Sequence, residues 1–117
     1  MKDNLGKYGE NIAINFLKNK FYEIIATNWR SGHHEIDIVA KIDKTLVIIE
    51  VKTRNSDTFG HPSEFVKSKK HSNLFKATDA LIESIDHHGE VRFDIIAVYE
   101  ENQQWIVDHI EDAFYPN

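Results

Sequence analysis

Two strand-like runs, EIDIVA and VIIEVKTR, interrupt apolar sequence with charge: Asp37 in the first, Glu50 and Lys52 in the second. Successive side chains of a strand point to opposite faces, so Val47, Ile49 and Val51 share one face while Ile48, Glu50, Lys52 and Arg54 share the other. Taking an ionised group out of water without a partner is costly. Either the face is solvated and Glu50 and Lys52 form an ordinary ion pair, or the charges hold one another and something else. Asp37 reads as the same kind of exception, with Ile36 and Ile38 turned to the face away from it. If the two runs pair about a tight turn at Asp43 and Lys44, Ile42 and Thr45 are mates, and counting back along the ladder sets Asp37 opposite Glu50. Antiparallel mates lie with Cα atoms ~4.5–5.5 Å apart, where like charges repel unless a cation or a proton sits between them. A hard divalent ion, Mg²⁺ or Mn²⁺, takes such oxygens while keeping several waters, and Asp37, Glu50 and the backbone carbonyl of Val51 form a partial shell for one. Lys52 would aim its ammonium into the same place, to hold an attacking water, assist its deprotonation or neutralise a phosphate oxygen. With a metal to polarise a phosphoryl group and acidify water, the chemistry is phosphodiester hydrolysis. By spacing alone an Asp followed by Glu-x-Lys is a weak signal, which the apolar strand context strengthens.

The elements that must carry these residues follow from periodicity. From Asn4 to about Lys20 the residues Leu5, Ile12, Ala13, Phe16 and Leu17 recur at helical spacing, with Gly9 and Glu10 near the start of the helix. YEIIATNWR, EIDIVAKI and TLVIIEVKT then read as three strands, the last two a hairpin. After the breaker GHP, Ser63 and Glu64 can open a long helix carrying Phe65, Val66, Leu74, Ala77, Ala80, Leu81 and Ile85, which His88 and Gly89 end. VRFDIIAVYE and QWIVDHI form two more strands about an EENQ turn. The order α-β-β-β-α-β-β specifies an α/β protein with a mixed central β-sheet flanked by helices. No repeat, linker or low-complexity segment divides residues 1–117, which read as a single domain.

GKYGENIA, NWR, EIDIVA, VIIEVKTR, FGHPSEFV, KHSNLFKA, RFDIIAV and HIEDAF, in this order over nearly the whole chain, resemble the YraN family of small bacterial proteins. That family is similar to the restriction-endonuclease-like, or PD-(D/E)XK, nucleases and to archaeal Holliday-junction resolvases. The resemblance implies that Asp37 and Glu50 are metal ligands, that Lys52 is the catalytic lysine, and that Glu10 is the helix carboxylate joining the metal site directly or through water. Gly6 and Gly9 match the family's glycines before that helix. Two departures stand out: His34-Glu35-Ile36-Asp37, after an extra His33, replaces the usual Gly-Glu-Ile-Asp, and Lys20 stands where a glycine is common after the first helix. They bear on the hairpin entry and the helix exit.

Each residue also has a plainer reading. Glu10 can simply favour a helix N-terminus, and Glu35, on the Asp37 face two residues away, is a candidate further ligand that reads first as a solvated strand-end glutamate. Asp94 in RFDIIAV is read as the partner of Arg92 in a structural salt bridge. Arg54, Lys67, Lys70 and Arg30 are the candidates for contacting a phosphate backbone, with Asn28 beside Arg30; the alternatives are solvated helix faces and strand ends. The pairs His33-His34 and His87-His88 lack zinc-site spacing. Trp29, Phe59 and Trp105 are read as core or interface before base-stacking platforms.

The chain has 117 residues, 41% of them hydrophobic, enough for one real core. With no cysteine it has neither disulfides nor thiolate metal sites, which fits a cytoplasmic protein. Its apolar stretches fall short of the ~20 residues a membrane span needs, so no membrane role is expected. A net charge of −5 argues against a generic basic nucleic-acid binder, although Lys67, Lys69, Lys70 and Lys76 cluster in one segment. The expected partner is nucleic acid, DNA, on branched or single-stranded substrates. A homodimer is expected by analogy with the resolvases, whose paired cuts need two sites. The competing expectation is a catalytically inactive nucleic-acid-binding module with the same fold; a weaker one is a dimeric scaffold built on the sheet edge.

Overall fold

The computed structural model describes residues 4–55 and 71–116. Among these residues two helices, α1 (Asn4–Asn19) and α2 (His71–Ile85), flank five strands: β1 (Glu23–Ser31), β2 (His34–Ile42), β3 (Thr45–Arg54), β4 (Val91–Glu101) and β5 (Gln104–Ile110). The strands lie in the spatial order β1-β2-β3-β4-β5. All neighbours are antiparallel except β3 and β4, which are parallel and joined by the crossover that contains α2. The element order and the mixed sheet are those the sequence implies. Among the described residues no helix is long and apolar enough to cross a membrane.

Each face of the sheet buries its own apolar cluster. Ala13 and Leu17 of α1 pack on Ile38, Ala40, Val47, Ile49, Ile96 and Val98. Leu74, Ala77 and Leu81 of α2 pack on Ile36, Val39, Leu46, Ile48, Phe93 and Ile95. On β3 alternation sorts the two sets, since that strand is covered on both sides over Leu46–Ile49 and only its far end carries charge. Trp29 packs against the α2-side core and Trp105 against the α1-side core. Trp105 also meets the Tyr8 ring edge-on at 5.3 Å, so both tryptophans serve packing.

Two-residue turns set the registers. Asp43, at φ 54°, begins the turn that pairs Ile42 with Thr45, as the hairpin reading requires. Asn102 and Gln103 both have positive φ, the geometry that suits a tight hairpin, and close β4 onto β5. Gly32, also left-handed, closes β1 onto β2 with Ser31 opposite His34, so the extra His33 is absorbed within the turn.

Three local expectations need correction. Ile36 and Ile38 do not share a face: Ile36 lies in the α2-side cluster and Ile38 in the α1-side cluster, so alternation breaks at Asp37. Opposite it, Asn28 adopts φ 51°, and the β1–β2 ladder runs from Thr27–Ile38 to Trp29–Ile36 without an Asn28–Asp37 rung. Second, α2 ends at Ile85 rather than at His88 and Gly89. Asp86 takes the left-handed position there, φ 56°, and the His87 N–H closes the turn onto the Ile82 carbonyl at 3.1 Å. Third, the left-handed residue at the exit of α1 is Phe21, φ 70°, with the Tyr22 N–H bonded to the Leu17 carbonyl at 3.0 Å. The demand for a glycine thus falls one residue after Lys20. The expected start of the second helix at Ser63 and Glu64 lies outside the described residues.

Candidate functional site

The antiparallel ladder of β2 and β3 runs from Ile42–Thr45 to Ile38–Ile49, and β3 continues from there against β4 alone. Asp37 and Glu50 stand one rung beyond the last pair, in the register the turn demands. The Asp37 carboxylate reaches across the gap, its Oδ2 accepting the Val51 N–H at 2.9 Å. A side chain here takes a β3 amide that a continuing ladder would have occupied. The Val51 amide is engaged by Asp37, and the Val51 carbonyl expected as a metal ligand belongs to the same residue.

This parting opens a cavity of about 260 Å³ lined by Asp37, Glu50, His33, His34, Glu35, Asn73 and Leu74. Glu50 and Lys52 do form an ion pair, Oε2 to Nζ 3.4 Å, but with side chains only 17% and 19% exposed it is not an ordinary solvated pair. The other carboxylate oxygen, Oε1, lies 3.4 Å from His71 Nε2. At these lengths the contacts are longer than a strong hydrogen bond, so Glu50 is braced without being locked.

Glu10 takes a different place. It lies in the second turn of α1, whose first turn holds no acidic residue, so the helix-dipole reading loses its basis. The side chain is buried, 6% exposed, and its Oε1 accepts the Asn28 amide at 3.2 Å. The Asn28 side-chain amide thus ties β1 to α1. Gly9 brings the helix this close, because a Cβ there would overlap the Thr53 side chain on β3. Glu10, Asn28 and Arg30 line a second recess of about 460 Å³, separate from the first but sharing Glu35 with it. Arg30 pairs with Glu35 at 3.3 Å, which makes Glu35 a partner in an ion pair at the wall between the two recesses. Arg54 folds back, its Nη1 donating to the Thr53 carbonyl at 2.8 Å. Lys67, Lys70 and Phe59 lie outside the described residues.

Among the described residues no group of three or more His, Asp or Glu side chains is gathered closely enough to hold a metal ion. Asp37 and Glu50 in one cavity nonetheless suit a hard cation, because Mg²⁺ is commonly held by one or two carboxylates and completes its shell with waters and substrate phosphate. Glu10 lines the adjoining recess rather than the cavity of that pair.

Residue His71 escaped the sequence reading. Its only signal there is position, since His71, Leu74, Thr78 and Leu81 form one helical stripe, all buried. The residues of the second histidine pair are engaged elsewhere: His87 contacts the Glu90 carbonyl at 3.0 Å and His88 the Asp86 carboxylate at 2.9 Å.

A second carboxylate cluster occupies the α1 face near the start of β4. Asp94, fully buried, receives Arg92 Nε and Nη2 at 2.9 and 2.8 Å, His109 Nε2 at 2.7 Å and the Asp112 N–H at 3.0 Å. Arg92 also donates to the Tyr22 hydroxyl at 2.7 Å. Burial alone would raise the Asp94 carboxyl; His109, Arg92 and the Asp112 amide outweigh it and hold the group below its ordinary value. Asp94 in turn keeps Arg92 charged against the cost of burial. The expected Arg92–Asp94 salt bridge is present and bidentate.

A family model described as "Uncharacterised protein family UPF0102" matches residues 9–98. A UPF0102 protein of Flavobacterium psychrophilum is 49% identical over 113 residues, which cover 97% of this chain and 95% of the relative. Relatives from Bacteroides thetaiotaomicron and Christiangramia forsetii, each also a UPF0102 protein, are 46% and 43% identical, cover 97% of this chain, and are themselves covered over 94% and 95% of their lengths.

Proposed function

The chain belongs to UPF0102, the YraN family, and on that footing we propose that it is a Mg²⁺- or Mn²⁺-dependent nuclease that hydrolyses DNA phosphodiester bonds. The observation that carries this reading is the parting of β2 and β3, which leaves Asp37 and Glu50 lining one half-open cavity with the Lys52 ammonium 3.4 Å from Glu50. An acidic pair beside an amine matches what phosphodiester cleavage requires. The acids hold a cation, and the amine carries positive charge toward the phosphate. Asp37 and Glu50 are the residues that would hold the metal, which when bound supplies Lewis-acid polarisation of the phosphoryl group and a more acidic water. Val51 stiffens this arrangement, since its amide fixes the Asp37 carboxylate. Lys52 Nζ, a donor only, orients the attacking water or a phosphate oxygen. Arg30 in the adjoining recess, with Arg54, Lys67 and Lys70, supplies the backbone contacts, and β1 and β5, the outermost strands among the described residues, are where a second copy would pair.

A second reading, an inactive nucleic-acid-binding module, is favoured by one observation: Glu10, the third carboxylate that the resemblance implies, lines the adjoining recess, and the remaining carboxylate beside Asp37 and Glu50, Glu35, is paired with Arg30. One assay separates the two. Purified protein with Mn²⁺ is incubated with labelled duplex, single-stranded, flap and four-way-junction DNA, beside Lys52→Ala. Cleavage of at least one substrate, reduced about 100-fold or more in the variant, is expected. Binding without cleavage across the whole set, or an equally active Lys52→Ala, overturns the nuclease reading.

A further inference from the structure

We infer that His71 is a positioning residue for Glu50, and that the segment after β5 clamps it there. Its consequence for catalysis rests on the nuclease reading. Its geometry does not.

The argument starts from the two carboxylate oxygens. Glu50 Oε2 faces Lys52 and Oε1 faces His71, each at 3.4 Å, so nitrogens on either side define the plane of the carboxylate. With only the lysine present, Glu50 would be free to follow a flexible ammonium toward solvent. The imidazole is the rigid half of the brace. In the tautomer that carries its proton on Nε2, the ring donates to Oε1.

An imidazole can position another group only if it is itself held. The His71 side chain is 10% exposed, and its ring lies flat on Phe114, centroids 3.6 Å apart and planes 3° from parallel. Phe114 is buried against Phe93 in the α2-side core. The backbone just before it is pinned twice: the Ala113 N–H donates to the Phe93 carbonyl at 2.7 Å, and the Asp112 N–H donates to Asp94 at 3.0 Å. A connected path therefore runs from the buried carboxylate on the α1 face, through the tail, to the ring beside Glu50. A histidine that merely filled the core would need neither a carboxylate at its Nε2 nor a flat aromatic beneath it.

The test uses the full-length protein without metal, then with Mn²⁺. His71→Phe keeps a ring on Phe114 and removes the donor; His71→Gln keeps a donor and loses the stack. Phe114→Leu keeps apolar volume and removes the flat support. The primary readout is the Glu50 side-chain carboxyl ¹³C resonance, with Mn²⁺ affinity second. The resonance should move in His71→Phe and return toward wild type in His71→Gln, with a smaller displacement in Phe114→Leu. Mn²⁺ affinity should fall about 10-fold or more in His71→Phe, as when a group supporting a metal ligand is lost. An unmoved Glu50 resonance in His71→Phe overturns the inference, as does a His71→Gln protein that recovers nothing. Should His71→Phe fail to fold, Phe114→Leu decides by the same resonance. A protein in which the resonance moves but wild type neither binds Mn²⁺ nor cuts DNA leaves the hold on Glu50 standing and removes the nuclease reading alone.

Discussion

Asp94 and Glu50 are acidic residues on opposite faces of one sheet, and they are held in opposite ways. Asp94 is sealed from solvent with two contacts to each oxygen, all 2.7–3.0 Å, from a guanidinium, an imidazole and a backbone amide. Glu50 keeps 17% of its side chain exposed, has one 3.4 Å contact per oxygen, and faces a cavity. A carboxylate that has lost its water must find every replacement inside the protein, and Asp94 has done so. Loose contacts at a half-open wall leave Glu50 able to yield an oxygen to an incoming cation at small cost. Charge inside an apolar strand is therefore not one signal but two, separated by whether the donor set is complete.

Stability measurements break or sharpen this contrast. The largest effect should come from Asp94→Ala, which strands Arg92 and should cost about 3–5 kcal/mol, the usual result of removing one member of a buried pair. Urea unfolding would read it as a lowered midpoint with little change in slope. The same variant carries a pH signature. The Asp94 carboxyl is depressed below its ordinary 3.8, so its contribution is present in full above that pH and lost as pH falls through the lower folded value. The gap between wild type and Asp94→Ala should accordingly be constant near neutrality and close on acidification; a gap that widened below pH 3.8 would contradict the assigned direction.

A smaller cost, about 1–3 kcal/mol for overpacking, is expected from Gly9→Ala, whose new methyl group must displace Thr53. Because Thr53 follows Lys52, this variant should disturb the Glu50 end of the sheet and leave the His109 resonances beside Asp94 in place. The smallest effect belongs to Glu50→Gln, no more than about 1 kcal/mol in either direction. A loss as large as that of Asp94→Ala would show Glu50 to be a structural carboxylate and erase the contrast.

Much of this arrangement was legible before any coordinates. β-branched runs and two-residue turns gave the strands, and alternation placed Glu50 and Lys52 on one face because β3 is regular. What escaped lies where the backbone departs from regularity without a glycine to announce it. Asn28, Asp86 and Phe21 all adopt left-handed conformations; Asn and Asp enter that region more readily than other non-glycine residues, but most of them do not, so their presence alone does not place it. Asn28 lies opposite the break of alternation at Asp37, Asp86 stands at the end of α2 and Phe21 at the exit of α1. The link between His71 and Glu50 joins a helix to a strand, and no local pattern encodes a contact of that kind.

The parallel ladder of β3 and β4 has a kinetic consequence. Every rung from Leu46–Val91 to Arg54–Tyr99 joins the two halves of the chain, whereas β1 to β3 are linked by short hairpins. Closing long loops is slow, so the hairpins should assemble first and the crossover dock late. Val39→Ala on β2 should then retard folding, while Ile95→Val on β4 should mainly hasten unfolding; stopped-flow chevrons showing the reverse would refute that sequence of events. Asp37, Glu50 and Lys52 all ride on the early half, while Asn73, Leu74 and His71 arrive with the late one. The acidic wall would exist before its opposite wall, and a metal ion present during refolding would meet the acids before the cleft had closed around them.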